Sequence, residues 1–422
     1  MDSRELLLRP GEWLLPAQGV DLTAWACVAC DQFTSQKEYW ERAAELVGDK
    51  PSTLKMILPE SYLEEAGERI PKIHEEMKRY LEEGLLERKA LGGFILTVRR
   101  TGSGSRAGLV ALMDLEGYDF RPGSASLIRA TEGTILERIP PRLAVRRGAA
   151  LEMSHVLMLL DDPGKTVVEP LLAKRPSLEL LYDFPLMLEG GHVTGYAVTE
   201  PQDIQAVYEA LGVMKAGLRG DRPLLYAVGD GNHSLAAAKA YWEELKPGLG
   251  AAQRESHPAR FALVEMENIH EEDLLFEPIH RVVTGYSGAA LLEDWRAYAQ
   301  AHGMSLEGGE KGQEILCVFG ERERKVSVAG SPQMLAVGTL QVFLDSWLGE
   351  HPGAALDYIH GEEAVRALAA GEDATGFLLP KPEKCSLFAT VQKEGALPRK
   401  TFSMGEAWEK RYYLETRRLL EP

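Results

Sequence analysis

The sequence predicts a mixed α/β protein, α+β in character, and three observations carry that prediction. Apolar residues 224–228 end in two glycines and lead straight into an alanine-rich stretch at 235–245. That is the pattern of a buried strand, a turn at 229–234 and a helix. Residues 92–99 and 108–113 read as two strands around a Gly/Ser turn at 101–106. From 287 onward the periodicity alternates. It is helical at 287–301, 334–348 and 362–370, and extended at 314–319, 325–328, 356–359, 375–379 and 387–391.

The earlier elements follow the same reasoning. Residues 1–58 carry prolines, tryptophans and polar turns, with a helix-like stretch at 39–46 and an apolar run at 54–58. They read as an irregular leading segment packed on a later core. Over 60–87, Tyr62, Leu63, Ala66, Ile70, Ile73 and Met77 recur at helical spacing, and Pro71 is expected to break or kink that helix. Residues 156–160 form a short apolar strand candidate, and 261–266 form another. Between them, 199–217 predicts a helix opened by Thr199 with Asp203 in its first turns. At about 150 residues per domain, 422 residues imply two or three packed units. The expected division is an N-terminal segment (1–90) packed on the core, a central α/β domain (91–285) and a C-terminal α/β region (286–422). There is no internal repeat and no low-complexity tract.

Sixty-four acidic against 47 basic residues leave a net charge of −17, which repels phosphate backbones and argues against general nucleic-acid binding. No stretch approaches the ~20 apolar residues of a membrane span, so a soluble cytoplasmic protein without membrane partners is expected. Four cysteines are too few for a disulfide framework, and reduced thiols are expected.

The strongest chemical feature is the turn Gly229-Asp230-Gly231-Asn232-His233-Ser234. A strand ending in glycines before a helix exposes backbone N–H groups where the helix dipole adds about half a positive charge, which suits a phosphate. Gly229 and Gly231 permit close approach or positive φ, and Ser234 can cap the helix or bond an oxygen. His233 can donate to a phosphate or move a proton, and Asp230 can hold magnesium or orient His233. The same spacing equally fits an ordinary strand-to-helix turn, and the Gly-Lys-Ser/Thr ending of a Walker loop is missing. A second cluster is Arg129-Ala130-Thr131-Glu132-Gly133-Thr134, followed by Glu137, Arg138 and Arg142. Glu132 among arginines and hydroxyls suits a general base or metal ligand, and also an exposed ion pair. Pro278-Ile279-His280-Arg281 offers further cations to an anionic site, although a lone histidine such as His280 more often makes structural hydrogen bonds. Pro398-Arg399-Lys400-Thr401-Phe402-Ser403 fits a bound anion or, more simply, surface ion pairs. Cys27-Val28-Ala29-Cys30 lacks the second ligand pair of a zinc site and is assigned to packing.

The turn at 229–234 resembles the phosphate-binding Asp-Gly-x-His-Arg turn of the ParB and sulfiredoxin superfamily, whose members include free serine kinases. More broadly the chain resembles domain-of-unknown-function family 1015. The similarity rests on Pro59-Glu60, Thr131-Glu132-Gly133-Thr134, Asp230-Gly231-Asn232-His233, Glu277-Pro278-Ile279-His280-Arg281, Tyr358-Ile359-His360-Gly361, Gly376-Phe377-Leu378-Leu379-Pro380 and Leu397-Pro398-Arg399-Lys400-Thr401. It implies a ParB/sulfiredoxin-like central region with an additional C-terminal α/β unit. It further implies ATP or ADP phosphates at 229–234, magnesium at Asp230, His233 nearest the transferred group and Glu132 deprotonating an attacking hydroxyl. Arg129, Arg142, His280 and Arg281 would balance charge. Two departures stand out: Ser234 replaces the usual arginine, and Ala130 replaces the histidine before Glu132. The implied activity is a small-molecule phosphotransferase, a free serine kinase or the reverse transfer from phosphoserine to ADP. The alternatives are a non-catalytic nucleotide-responsive regulator and a phosphate-ester hydrolase.

Overall fold

The computed structural model describes residues 3–371 and 373–419 and is mixed α/β. The chain forms two compact units, one of residues 1–130, 134–275 and 405–422, the other of 131–133 and 276–404. This division differs from three consecutive stretches because distant segments share one sheet. The Gly11–Pro16 strand pairs with both Leu86–Thr101 and Thr416–Arg418. The leading segment therefore supplies strands rather than only irregular packing.

The first unit is built on a 12-stranded sheet. Its main path runs Ile128–Ala130, Tyr226–Asp230, Leu157–Leu160, Phe261–Asn268, Gly104–Asp114, Leu86–Thr101, Gly11–Pro16, Thr416–Arg418 and Leu151–Met153. The expected hairpin is present but longer than its apolar runs, because Leu86–Thr101 and Gly104–Asp114 stay paired to a tight turn. Tyr226–Asp230 lies parallel to Ile128–Ala130 and antiparallel to Leu157–Leu160, with a register shift between Val228 and Asp230. That irregularity releases the chain from the sheet where the following helix begins.

Several helices depart from their predicted limits. Pro71 does not end the Ala66–Glu82 helix. Proline forfeits one N–H bond there, while Ile73, Met77 and Tyr80 anchor the next turns in the core. The 199–217 helix begins at Pro201 with Glu200, not Thr199, at the N-cap, which suits proline at the first helical position. The helix expected at 235–245 spans Asn232–Leu245 and is preceded by Gly231, so Ser234 lies in its first turn and does not cap it.

The second unit carries a six-stranded antiparallel sheet, ordered Arg322–Val328, Gln313–Phe319, Ala374–Leu378, Phe276–Thr284 and Ala355–His360, with Phe402–Met404 also on Phe276–Thr284. Its own core centres on Leu291, Trp295, Leu340, Phe343 and Phe377. Residues 387–391, expected extended, lie inside the Lys384–Glu394 helix. Leu387, Phe388 and Val391 are buried at i, i+1 and i+4, a spacing that only a helix turns to one side. No helix among the described residues is long and apolar enough to cross a membrane.

Candidate functional site

In the first unit, Gly231 takes φ +74° at the head of the Asn232–Leu245 helix, and no side chain caps that helix. Its left-handed conformation suits glycine, and a Cβ there would lie 2.9 Å from the Val156 Cα. The helix therefore presents its first-turn amides and the positive end of its dipole beside the Asp230 carboxylate. Asp230 Oδ1 accepts the Gly231 N–H at 2.8 Å, and the Lys410 ammonium lies 3.5 Å from Oδ2.

The first-turn side chains are fixed from the 134–142 segment. Asn232 Oδ1 accepts from the Thr134 hydroxyl at 3.2 Å, and His233 Nε2 accepts the Ile135 N–H at 3.1 Å. That bond assigns the His233 proton to Nδ1. Burial, then the Arg138 and Arg142 guanidiniums, push the imidazole down to about 4. At neutral pH His233 is thus an uncharged Nδ1–H donor whose other nitrogen is occupied. It can hold a phosphate oxygen, but it is poorly placed to accept a proton at Nε2.

Arg138 and Arg142 both grip Glu60, the former at 2.6 Å. Ser234 Oγ lies 3.4 Å from His155 Nε2, which also lies 3.2 Å from Asp31 Oδ2. Tyr413 accepts the Cys30 N–H, and its hydroxyl oxygen lies 2.5 Å from His155 Nδ1. Burial pushes the Asp31 carboxyl up, but His155 and Arg142 outweigh it and leave Asp31 below the usual carboxylate range. A nucleophilic triad is not formed, since Ser234 and Asp31 both address the same nitrogen of His155. The adjoining cavity, about 790 Å³ including its open mouth, is lined by Glu60, Arg142, His155 and Ser234 among mostly apolar residues.

Three predicted phosphate ligands have structural duties. Arg129 donates to the carbonyls of Ser124, Arg222 and Pro223 and is 4% exposed. His280, in the second unit, accepts the Leu379 N–H on Nδ1, and burial holds it below its usual value, so it supplies no cation. Arg281 is fully buried and donates to Gln341 and to the carbonyls of Ile279, Arg399 and Lys400. That basic 398–403 stretch thus offers its backbone to Arg281, while the Arg399 side chain bonds the Tyr358 hydroxyl.

Glu132 belongs to the second unit, where Thr401 N–H donates to its Oε1 at 3.3 Å and its backbone bridges to Leu397. Its charge is felt by Arg281, which burial pushes down to about 10. The sequence candidates thus gather in two groups, Gly229, Asp230, Gly231, Asn232, His233, Ser234 and Arg142 in the first unit, and Glu132, His280 and Arg281 in the second.

For magnesium, Asp230 is the ligand that the resemblance implies, and its carboxylate already faces Lys410. Among the described residues no group of three or more His, Cys, Asp or Glu side chains is placed to hold a metal ion. A resident all-protein metal cage does not fit these residues.

Sequence reasoning missed Asp31, His155, Tyr413 and Lys410. The partners named above lie 79 to 383 residues away in the chain, from Ser234 against His155 to Cys30 against Tyr413, so no local spacing signals them. The Cys27-x-x-Cys30 pair is unbonded, as are Cys317 and Cys385. Cys27 is buried against Thr53, and burial pushes its thiol up to about 12.

Comparison with known proteins places these features in context. The family described as Protein of unknown function (DUF1015) matches residues 14–347. No curated protein is matched. Among solved structures, a free serine kinase variant in complex with AMP is 13% identical, with 74% of this chain and 92% of that one covered and a TM-score of 0.39. A variant in complex with ADP gives the same values. A conserved hypothetical protein from Pyrococcus furiosus is also 13% identical, covering 74% and 95%, with a TM-score of 0.34.

Proposed function

The chain belongs to the family of proteins of unknown function DUF1015, and from that premise we propose that it is a nucleotide-using small-molecule phosphotransferase. The reaction is that of a free serine kinase, or its reverse from phosphoserine to ADP. The observation that carries this reading is the uncapped Asn232–Leu245 helix, headed by left-handed Gly231 and flanked by a neutral Nδ1–H donor on His233. Phosphoryl transfer depends mostly on positioning and charge neutralisation, which helix amides, His233, Lys410 and the Arg138–Arg142 pair can supply.

In the forward direction the acceptor hydroxyl attacks the terminal phosphorus, the phosphorus–oxygen bond to the nucleotide breaks, and the hydroxyl proton passes to solvent. The leaving nucleotide keeps the electron pair. Magnesium carried in by the nucleotide would draw most of its ligands from phosphate and water, with Asp230 as its protein contact. A cytoplasmic location is part of the same reading.

The test is mass-spectrometric detection of serine and phosphoserine after incubation with magnesium and ATP plus serine, ADP plus serine, or ADP plus phosphoserine. Conversion is expected in one direction, and Glu132→Gln tests the base role that the resemblance implies, which equal turnover in both proteins would remove. A second reading, a nucleotide-responsive regulator without turnover, is favoured by Ser234, which brings no bidentate donor to the position where the resemblance implies arginine. A non-hydrolysable ATP analogue that stabilises as well as ATP, with no product in any mixture, would support it.

A further inference from the structure

The cavity beside the phosphate-like turn has a wall that free serine does not explain. Ser234 and Ala237, one helical turn apart, place it along the flank of the Asn232–Leu245 helix. Most of the lining is apolar, with Met56, Met77, Val145, Leu151 and Met153 facing Ala237. Into this apolar wall the Ile139–Arg146 helix brings Arg142 and Arg146.

The charged lining of the cavity is two guanidiniums, Arg142 and Arg146, and two carboxylates, Glu60 and Glu152. Arg138 and Arg142 share Glu60, and Arg146 and Arg417 share Glu152. Each of the two lining carboxylates is thus shared by two guanidiniums. Three of their donors, Arg142 Nε and Arg146 Nε and Nη2, are buried with no hydrogen-bond partner. A buried guanidinium donor without an acceptor is costly, and an anionic head group would satisfy it.

We propose that this cavity binds an amphipathic monoanion, a small organic acid with a hydrocarbon body, its acid group at Arg142 and Arg146 and its body against the methionines and Ala237. Its role as phosphoryl acceptor rests on the reading of the helix head as the phosphate site; its binding does not.

Isothermal titration of the full chain with straight-chain alkanoates of four to twelve carbons, and with the matching alkanols, tests this. Each added methylene is expected to tighten binding about fourfold until the cavity is filled. Each acid should bind at least tenfold tighter than its alcohol. Arg146→Gln should remove the preference for the acid and keep the methylene increment. Leu63 lines the cavity yet is 36% exposed, so Leu63→Trp should fold and shorten the chain length at which the increment stops.

Affinities that ignore chain length, alcohols that match acids in the unsubstituted protein, or a Leu63→Trp series identical to the parent would each overturn the proposal. So would adenosine displacing the alkanoate, which would assign the cavity to a nucleobase. ADP-induced stabilisation, measured in the same samples, separates the two readings. An absent ADP response with the alkanoate series intact sinks the phosphate site alone, and the converse sinks the acid cavity alone.

Discussion

Replacing Gly231 by alanine tests the conformation on which the candidate site rests. A left-handed residue with a Cβ costs about 1–2 kcal/mol, and Gly231 sits at φ +74°. The new methyl would also lie 2.9 Å from Val156 Cα, 3.0 Å from its Cγ2 and 3.2 Å from His155 Cδ2. Val156 directly precedes the central Leu157–Leu160 strand and cannot retreat freely, so overpacking adds about 1–2 kcal/mol. The sum, about 2–4 kcal/mol, should lower the Tm of the first unit by about 5–10 °C. Calorimetry would read the transition, and hydrogen exchange over residues 226–245 would assign it to this unit. Gly67 is the control, since a Cβ there meets nothing within 4 Å and its φ is not positive. Gly67→Ala should stabilise by about 0.4–1 kcal/mol through the unfolded chain. A Gly231→Ala protein as stable as the Gly67→Ala protein would refute the strained-turn argument.

Two titrations should oppose one another. His233 is held at about 4 against an ordinary 6.5, so the unfolded chain binds the extra proton first and stability falls as pH drops from 6.5 to 4. Allowing for its partial exposure the loss is about 1–2 kcal/mol, and His233→Gln should remove that slope in urea titrations across this window. Glu271 is pushed up to about 8 by burial, with Glu267 and Glu169 adding to the shift, so its contribution is lost as pH rises from 4.5 to 8; Glu271→Gln should flatten that limb, and an unchanged profile would discard the assignment. Arg281→Met removes a buried donor and leaves the Ile279, Lys400 and Arg399 carbonyls unpaired, so calorimetry should show the second unit destabilised by about 3–5 kcal/mol; a loss below 1 kcal/mol would show that these bonds are dispensable.

The legible parts of the fold were those with strong local signals. The Tyr226–Asp230 strand and the helix behind it announce themselves by an apolar run, two glycines and alanines, and the long hairpin by its turn. The start of that helix was placed three residues late, because Asn232, His233 and Ser234 look like turn residues while Gly231 alone ends the strand. Residues 387–391 were misread because five apolar-rich residues cannot separate a strand from one helical turn. Of the candidate site, the turn was legible and its surroundings were not. Arg129 and Arg281 look alike in sequence to Arg138 and Arg142, yet the first two bind carbonyls and the last two a carboxylate. Which partner an arginine meets is set by tertiary packing, and no spacing encodes it.

Net charge is silent about small partners, and the interior explains why. A chain with 17 excess negative charges still buries Arg99, Arg106, Arg129, Arg281, Arg411 and Arg417 at 4% exposure or less. Arg99 and Arg411 meet Glu265, Glu267 and Glu415 inside the first unit, so much of the acidic excess lies outside such pairs. Exposed charges are screened over about 8 Å at physiological salt, whereas buried pairs are screened far less. At the head of the Asn232–Leu245 helix, burial and then Arg138 and Arg142, which themselves grip Glu60, keep His233 uncharged. What that turn holds is therefore decided by its immediate neighbours and not by the charge of the whole chain.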